Sequence, residues 1–227
     1  DTIERAYTEQ EELDAFVESV ERNVFAISED RISDSARPVK ESIDQAIAYI
    51  NKMLTNKGEL TGCTTGFLDL DKMTTGWHSG EMIVVAARPS MGKTSLALNM
   101  TEAAICPKPG REAVPTLFFS LEMPSEQLAM RLLCSRSRVN MSKLRDGFIE
   151  NAKKQELVQT AQELKEAPLF IDDSSGLTIM EIRAKARRVA NQLKHGLGMI
   201  MVDYLQLVSG SDPKVPREQQ IAEISRG

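Results

Sequence analysis

The chain has 227 residues, room for one sizeable domain and an appendage, and its 41% hydrophobic and 27% charged content is ordinary for a globular protein. A net charge of −5 does not advertise nucleic acid, so a binder of that kind must gather its basic groups on one surface. Three scattered cysteines (Cys63, Cys106, Cys134) and two histidines (His78, His195) argue against a zinc site, and no apolar run reaches membrane-spanning length.

In chain order, Thr8-Glu9-Gln10-Glu11 reads as a capping box, followed by Leu13, Phe16, Val17, Val20, Val24 and Ile27 at helical spacing. This predicts an amphipathic helix within residues 1–37. The polar stretch from Glu29 to Pro38 reads as a linker. From Val39 to Leu54 the stripe Ile43, Ala46, Ile47, Ile50, Met53 and Leu54 predicts a second helix, ended by Thr55-Asn56-Lys57-Gly58. Glycines at 58, 62, 66, 76 and 80 predict turns around one short helix, with Trp77 as a packing residue.

The next stretch organises the rest. Ile83-Val84-Val85-Ala86-Ala87 reads as a buried strand, and Leu96 to Met100 as the start of a helix. Between them, from Ala87, runs A-x-x-x-x-G-K-T, a phosphate-binding loop with alanine at its first glycine position. Such a loop points successive backbone N–H groups at anionic oxygens and adds the positive end of the following helix. The expected nucleotide-binding residues are Ala87, Arg88, Pro89, Ser90, Met91, Gly92, Lys93, Thr94 and Ser95. Gly92 admits phosphate close to the backbone, Lys93 reaches the β and γ oxygens, and the Thr94 hydroxyl holds Mg²⁺. ATP and Mg²⁺ are the ligands expected.

Beyond a surface loop at Pro107 to Arg111, Thr116 to Leu121 reads as a buried strand and Met123-Pro124-Ser125-Glu126 opens a helix. A helical turn follows at Asn140 to Arg145, then an amphipathic helix from Asn151 to Glu166. Pro168 to Asp173 is the next strand. Thr178-Ile179-Met180-Glu181 is a capping box for a helix to about His195, and Met199 to Asp203 is a fourth strand. A loop from Ser209 to Pro216 precedes a helix start near Glu218. Strands alternating with helices predict an α/β domain with a mostly parallel sheet. A start at Asp1 without Met and a stop at Gly227 lead us to expect a fragment at both ends.

Two acids stand at strand ends, where open α/β sheets bind their ligands. Asp203 closes an apolar run and is expected to orient the Mg²⁺ that Thr94 ligates. Glu122 leaves the sheet on the same edge, and two roles are open to it. It can polarise a water for attack on the γ-phosphate, or it can sit as a helix N-terminal carboxylate. Asp172 and Asp173 read as turn and cap residues, and Arg131, Arg136, Arg138, Arg187 and Arg188 as solvated basic positions.

Four stretches now resemble one family in order. They are Ala87 to Thr94, Phe119-Ser120-Leu121-Glu122-Met123-Pro124, Ile171 to Thr178, and Val202-Asp203-Tyr204-Leu205-Gln206-Leu207. Together they are similar to the motifs of the bacterial replicative DNA helicases of the DnaB family, which use alanine at the position of Ala87. The resemblance runs from about Gly62 to the C-terminus. More weakly, residues 14–31 resemble the end of that family's N-terminal domain and 39–54 its linker helix. It implies domains at 1–37, 38–58 and 59–227, the last a RecA-like P-loop ATPase core. It implies Glu122 as catalytic base; Lys93 of the phosphate loop is the other catalytic residue expected. It further implies a homohexamer moving 5′ to 3′ on single-stranded DNA in the bacterial cytoplasm, with a primase and a helicase loader as partners and no membrane. The family's γ-phosphate sensor, DNA-contacting loops and arginine finger are expected beyond Gly227. A RecA-like recombination or repair ATPase and a non-catalytic, nucleotide-gated assembly module are the alternatives.

Overall fold

The structure is a computed structural model that describes residues 39–55 and 60–209. The helix expected within 1–37 and the helix start near Glu218 lie outside the described residues. The chain forms two compact units, Asp1–Gly58 and Glu59–Gly227.

In the first unit the predicted helix spans Val39–Thr55 (α1). Val39, Ile43, Ile47 and Ile50 fall on one stripe and are all at least half exposed, the least of them 50%. Its amphipathic spacing therefore makes a helix whose apolar face is exposed among the described residues.

In the second unit the order is α2 (Leu68–Thr74), α3 (Lys93–Ile105), β1 (Thr116–Ser120), α4 (Ser125–Arg136) and α5 (Met141–Arg145). Then come α6 (Asn151–Glu166), β2 (Leu169–Asp172), α7 (Ile179–Gln192), β3 (Met199–Asp203) and a 3₁₀ turn at Leu205–Leu207. The strands form one parallel sheet in the order β2-β1-β3. Central β1 is buried along its whole length, as expected of an apolar strand covered on both faces. Its side chains alternate. Leu117 and Phe119 pack with Ile182 and Ala186 of α7 and with Val208, while Phe118 packs with Leu98 of α3 and Leu128 of α4. In register, Phe119 lies beside Asp172 and Ser120 beside Asp203, so all three strands end at the same edge.

Local chemistry sets the helix starts. Asn140 accepts the Ser142 and Lys143 N–H groups to begin α5, and Thr178 with Glu181 forms a complete capping box on α7. The α7 helix ends at Gln192, short of the expected His195. In the first turn of α2, buried Asp71 accepts hydrogen bonds from the Thr64 hydroxyl and from the Thr65 hydroxyl and N–H, just ahead of the helix, at 2.6–2.7 Å. Burial pushes its pKa up, yet these donors prevail and hold the carboxyl below its ordinary value. Trp77 is half-buried and bridges to Cys63 through the backbone, so it packs as expected. A Cβ on Gly62 would meet the Trp77 carbonyl oxygen at 2.6 Å, which explains a glycine at this crossing.

Two expectations are corrected. The run Ile83 to Ala87 forms no strand: it takes part in no ladder among the described residues, and Ile83, Val84 and Val85 are exposed. Strand-forming residues without a partner strand leave their backbone groups to water. Arg136, read as solvated, instead bonds Glu102 at 3.3 Å and Glu163 at 3.0 Å, tying α4 to α3 and α6. Arg131, Arg138, Arg187 and Arg188 are exposed as expected.

Candidate functional site

The loop from Ala87 to Gly92 turns tightly before α3. Met91 N–H bonds the Arg88 carbonyl at 3.2 Å, and Ser90 and Gly92 take positive φ of 65° and 87° on either side of Met91. A serine in the left-handed region costs energy, and such strain concentrates at binding loops. A Cβ on Gly92 would meet nothing within 4 Å, so what glycine supplies here is its φ and an open approach to the backbone. No acceptor among the described residues takes the N–H groups of Gly92, Lys93, Thr94 or Ser95 at the start of α3. Four orphan donors at the positive end of a 13-residue helix form an anion site.

Asp203 of β3 completes it. Lys93 Nζ lies 3.1 Å from Asp203 Oδ1, and the Thr94 hydroxyl donates to Asp203 Oδ2 at 2.6 Å. Asp203 is 4% exposed and Lys93 27%, so a buried acid is paired with a partly open cation. Lys93 Nζ also stands 3.6 Å from the centroid of the Tyr204 ring. The sequence alone gave Tyr204 no role. Its signal was its place next to the acid, but nothing local says that its ring faces Lys93.

The donor set fits a magnesium nucleotide. Mg²⁺ takes oxygen ligands and is held through one or two protein groups together with substrate phosphates. Thr94 and Asp203 offer one hydroxyl and one carboxylate, and among the described residues no group of three or more His, Cys, Asp or Glu forms a cage. The orphan N–H groups and Lys93 suit the phosphates. Ala87, Arg88, Pro89, Ser90 and Met91 form the exposed wall of the loop, and Ser95 is exposed on the first turn of α3.

Glu122 is exposed in the four-residue turn between β1 and α4. Because Ser120 lies beside Asp203, Glu122 leaves the sheet on the edge that carries the phosphate loop. Asp172 and Asp173 have separate partners. Asp172 accepts from Lys185 Nζ at 2.6 Å and from the Ser174 N–H at 3.0 Å. Burial raises its pKa, but these donors outweigh burial and hold it low. Asp173 accepts the Ser125 N–H at 2.8 Å. Both therefore do the turn and cap work expected of them, although the Lys185 contact was not foreseen.

A loop of this kind opening a helix, facing an acid at the end of a neighbouring parallel strand, defines a P-loop nucleotide-binding fold of the RecA-like class. Comparison with known proteins narrows this. Residues 62–227 match the model of the DnaB-like helicase C-terminal domain, and the chain belongs to that family. It is 37% identical over 221 residues to the replicative DNA helicase DnaB of Geobacillus stearothermophilus, covering 97% of this chain and 47% of that protein. It is 43% identical over 223 residues to the DnaB of Haemophilus influenzae, covering 95% and 46%. Among solved structures it resembles an ATPase domain, with a TM-score of 0.70 and 29% identity over 81% of this chain and 64% of that one. It also resembles a DnaB-like replicative helicase studied with primase, with a TM-score of 0.70 and 26% identity over 94% and 54%. The chain thus spans about half the length of the curated relatives it matches.

Proposed function

We propose that this chain supplies the ATP-binding face of a replicative DNA helicase, a homohexamer that hydrolyses ATP to move 5′ to 3′ along single-stranded DNA. The observation that carries this reading is the convergence of Lys93 and Thr94 on Asp203, which lies 109 positions beyond Thr94, at the open end of α3. Lys93 neutralises the β and γ oxygens of ATP, and the N–H groups of Gly92 to Ser95 hold them in line. Thr94 and Asp203 would hold Mg²⁺, which when bound would screen the phosphate charge. Glu122 accepts a proton from the attacking water as its oxygen bonds the γ-phosphorus and the bond to the β–γ bridging oxygen breaks. The products are ADP and inorganic phosphate.

The domain reading belongs to the same proposal. Residues 1–37 end a helical N-terminal domain, 38–58 hold the linker helix, and 59–227 begin the ATPase domain. The uncovered stripe of α1 supports a linker helix that docks on a neighbouring subunit. The work is done at bacterial replication forks in the cytoplasm, with a primase and a helicase loader as partners. The test is unwinding of forked DNA bearing a 5′ tail by the protein that carries this chain. ATP- and Mg²⁺-dependent unwinding that Lys93→Ala and Asp203→Asn both abolish is expected. Unwinding that survives Lys93→Ala overturns the reading.

A further inference from the structure

The turn that carries Glu122 is fastened at both ends by strands other than its own. At its start, Leu121 N–H donates to the Asp203 carbonyl at 2.8 Å, extending the β1–β3 ladder by one bond. At its end, Ser125 N–H donates to the Asp173 carboxylate at 2.8 Å, just past the end of β2. Between the two, the Ser120 hydroxyl donates to the Met123 carbonyl at 2.5 Å. Helix α4 has proline as its N-cap, and Pro124 has no side-chain oxygen to take the first orphan N–H groups. Asp173 provides that acceptor from 48 residues away. Its neighbour Asp172 is committed to Lys185 and Ser174, so the two acids divide the work. A cap from the same helix would stabilise α4 alone. A cap from β2 also fixes where the turn, three residues back, presents its carboxylate.

We propose that Asp173 is a positioning residue for Glu122, clamping the β1–α4 turn to β2 so that the Glu122 carboxylate is held over the phosphate loop. This rests on Glu122 being the catalytic base. A misplacement of about 1 Å in a reacting group costs up to about 10²-fold in rate, so loss of one of the two fastenings is expected to cost about tenfold in kcat.

The test is steady-state ATP hydrolysis, nucleotide affinity and amide exchange in the full protein that carries this chain. Asp173→Ala is expected to lower kcat about tenfold while KM for ATP and the Kd of a fluorescent ATP analogue stay within about twofold. The peptide holding the Ser125 amide should exchange faster. Asp173→Asn keeps an acceptor oxygen and should restore kcat to within about threefold of the parent. Ser125→Pro removes the donor from the other side of the same bond at a helix position that tolerates proline, and should match Asp173→Ala even if that variant folds poorly. In a Glu122→Gln background, Asp173→Ala should lower the residual rate no further.

The proposal fails if Asp173→Ala leaves kcat within about twofold, if KM and Kd move with kcat, or if Asp173→Asn is as impaired as Asp173→Ala. It also fails if the two substitutions multiply. If Glu122→Gln itself keeps its turnover, the catalytic-base reading falls and takes this inference with it. If Glu122→Gln collapses while Asp173→Ala does not, only this inference falls.

Discussion

Met82-Ile83-Val84-Val85-Ala86-Ala87 and Met199-Ile200-Met201-Val202-Asp203 are much alike as sequence, short and apolar in both cases. In the fold they part. The second pairs with β1 along its length and ends in an acid 4% exposed. The first joins no ladder among the described residues, and Val84 is 69% exposed. Strand propensity measures how well a side chain fits a pleated, half-buried surface, so it acts only where a partner supplies that surface. β1 supplies it to β3, and no described strand supplies it to 82–87. What joins the loop after the first run to the end of the second is side-chain chemistry: Lys93 and Thr94 bonded to Asp203.

The paired edge should carry the largest effects. Glu122→Gln keeps shape and removes the proposed base, so ATP binding should persist while turnover falls by roughly 10²–10⁴-fold. A rate within a few-fold of the parent would mean that this edge carries no catalytic base. On the same paired strand, Phe118 is 1% exposed, and Phe118→Ala should cost about 3–5 kcal/mol, read in a denaturant melt.

The α1 stripe asks whether another exposed apolar surface is one that awaits a partner. Ile47→Asp with Ile50→Asp should weaken assembly of the proposed hexamer, since burial of each side chain is worth roughly 1.5–3 kcal/mol, and leave the monomer folded. Light scattering that still shows a hexamer, with a melt at much lower temperature, would assign the helix to its own subunit. Lys93→Ala removes the cation of the bridge. A hydrogen bond to a charged group is worth about 1.5–3 kcal/mol, so nucleotide affinity should fall by about ten- to a hundred-fold in a binding titration. The smallest effect belongs to the unpaired run. In residues 1–227, Val84→Asp should change stability by no more than about 0.5 kcal/mol, as exposed substitutions do. A loss of several kcal/mol would show that 82–87 is covered and would end the contrast with β3.

Much of the fold was legible because its signals are local. The capping box at Thr178 and Glu181, the helical turn at Asn140 to Arg145, and the spacing of α1, α4 and α6 each depend on residues within one or two turns. The order of residues from Ala87 to Thr94 likewise fixed a phosphate loop, because glycine, lysine and threonine at those positions have few other joint uses. Four motifs in series pointed to the family that the comparison then matched over residues 62–227.

Tertiary structure decided what depends on distant partners. Among the described residues it left 82–87 without a ladder while making β3 a strand, since pairing is a property of two segments and not of one. It set Lys93 between Asp203 and the Tyr204 ring, and took Arg136 out of the solvated set to join three helices. It also sent adjacent Asp172 and Asp173 to different helices, Lys185 of α7 and the start of α4. A sequence states which charges and donors exist. Which of them meet is settled by chain segments tens of residues apart, once burial and strand register have brought them to one sheet edge.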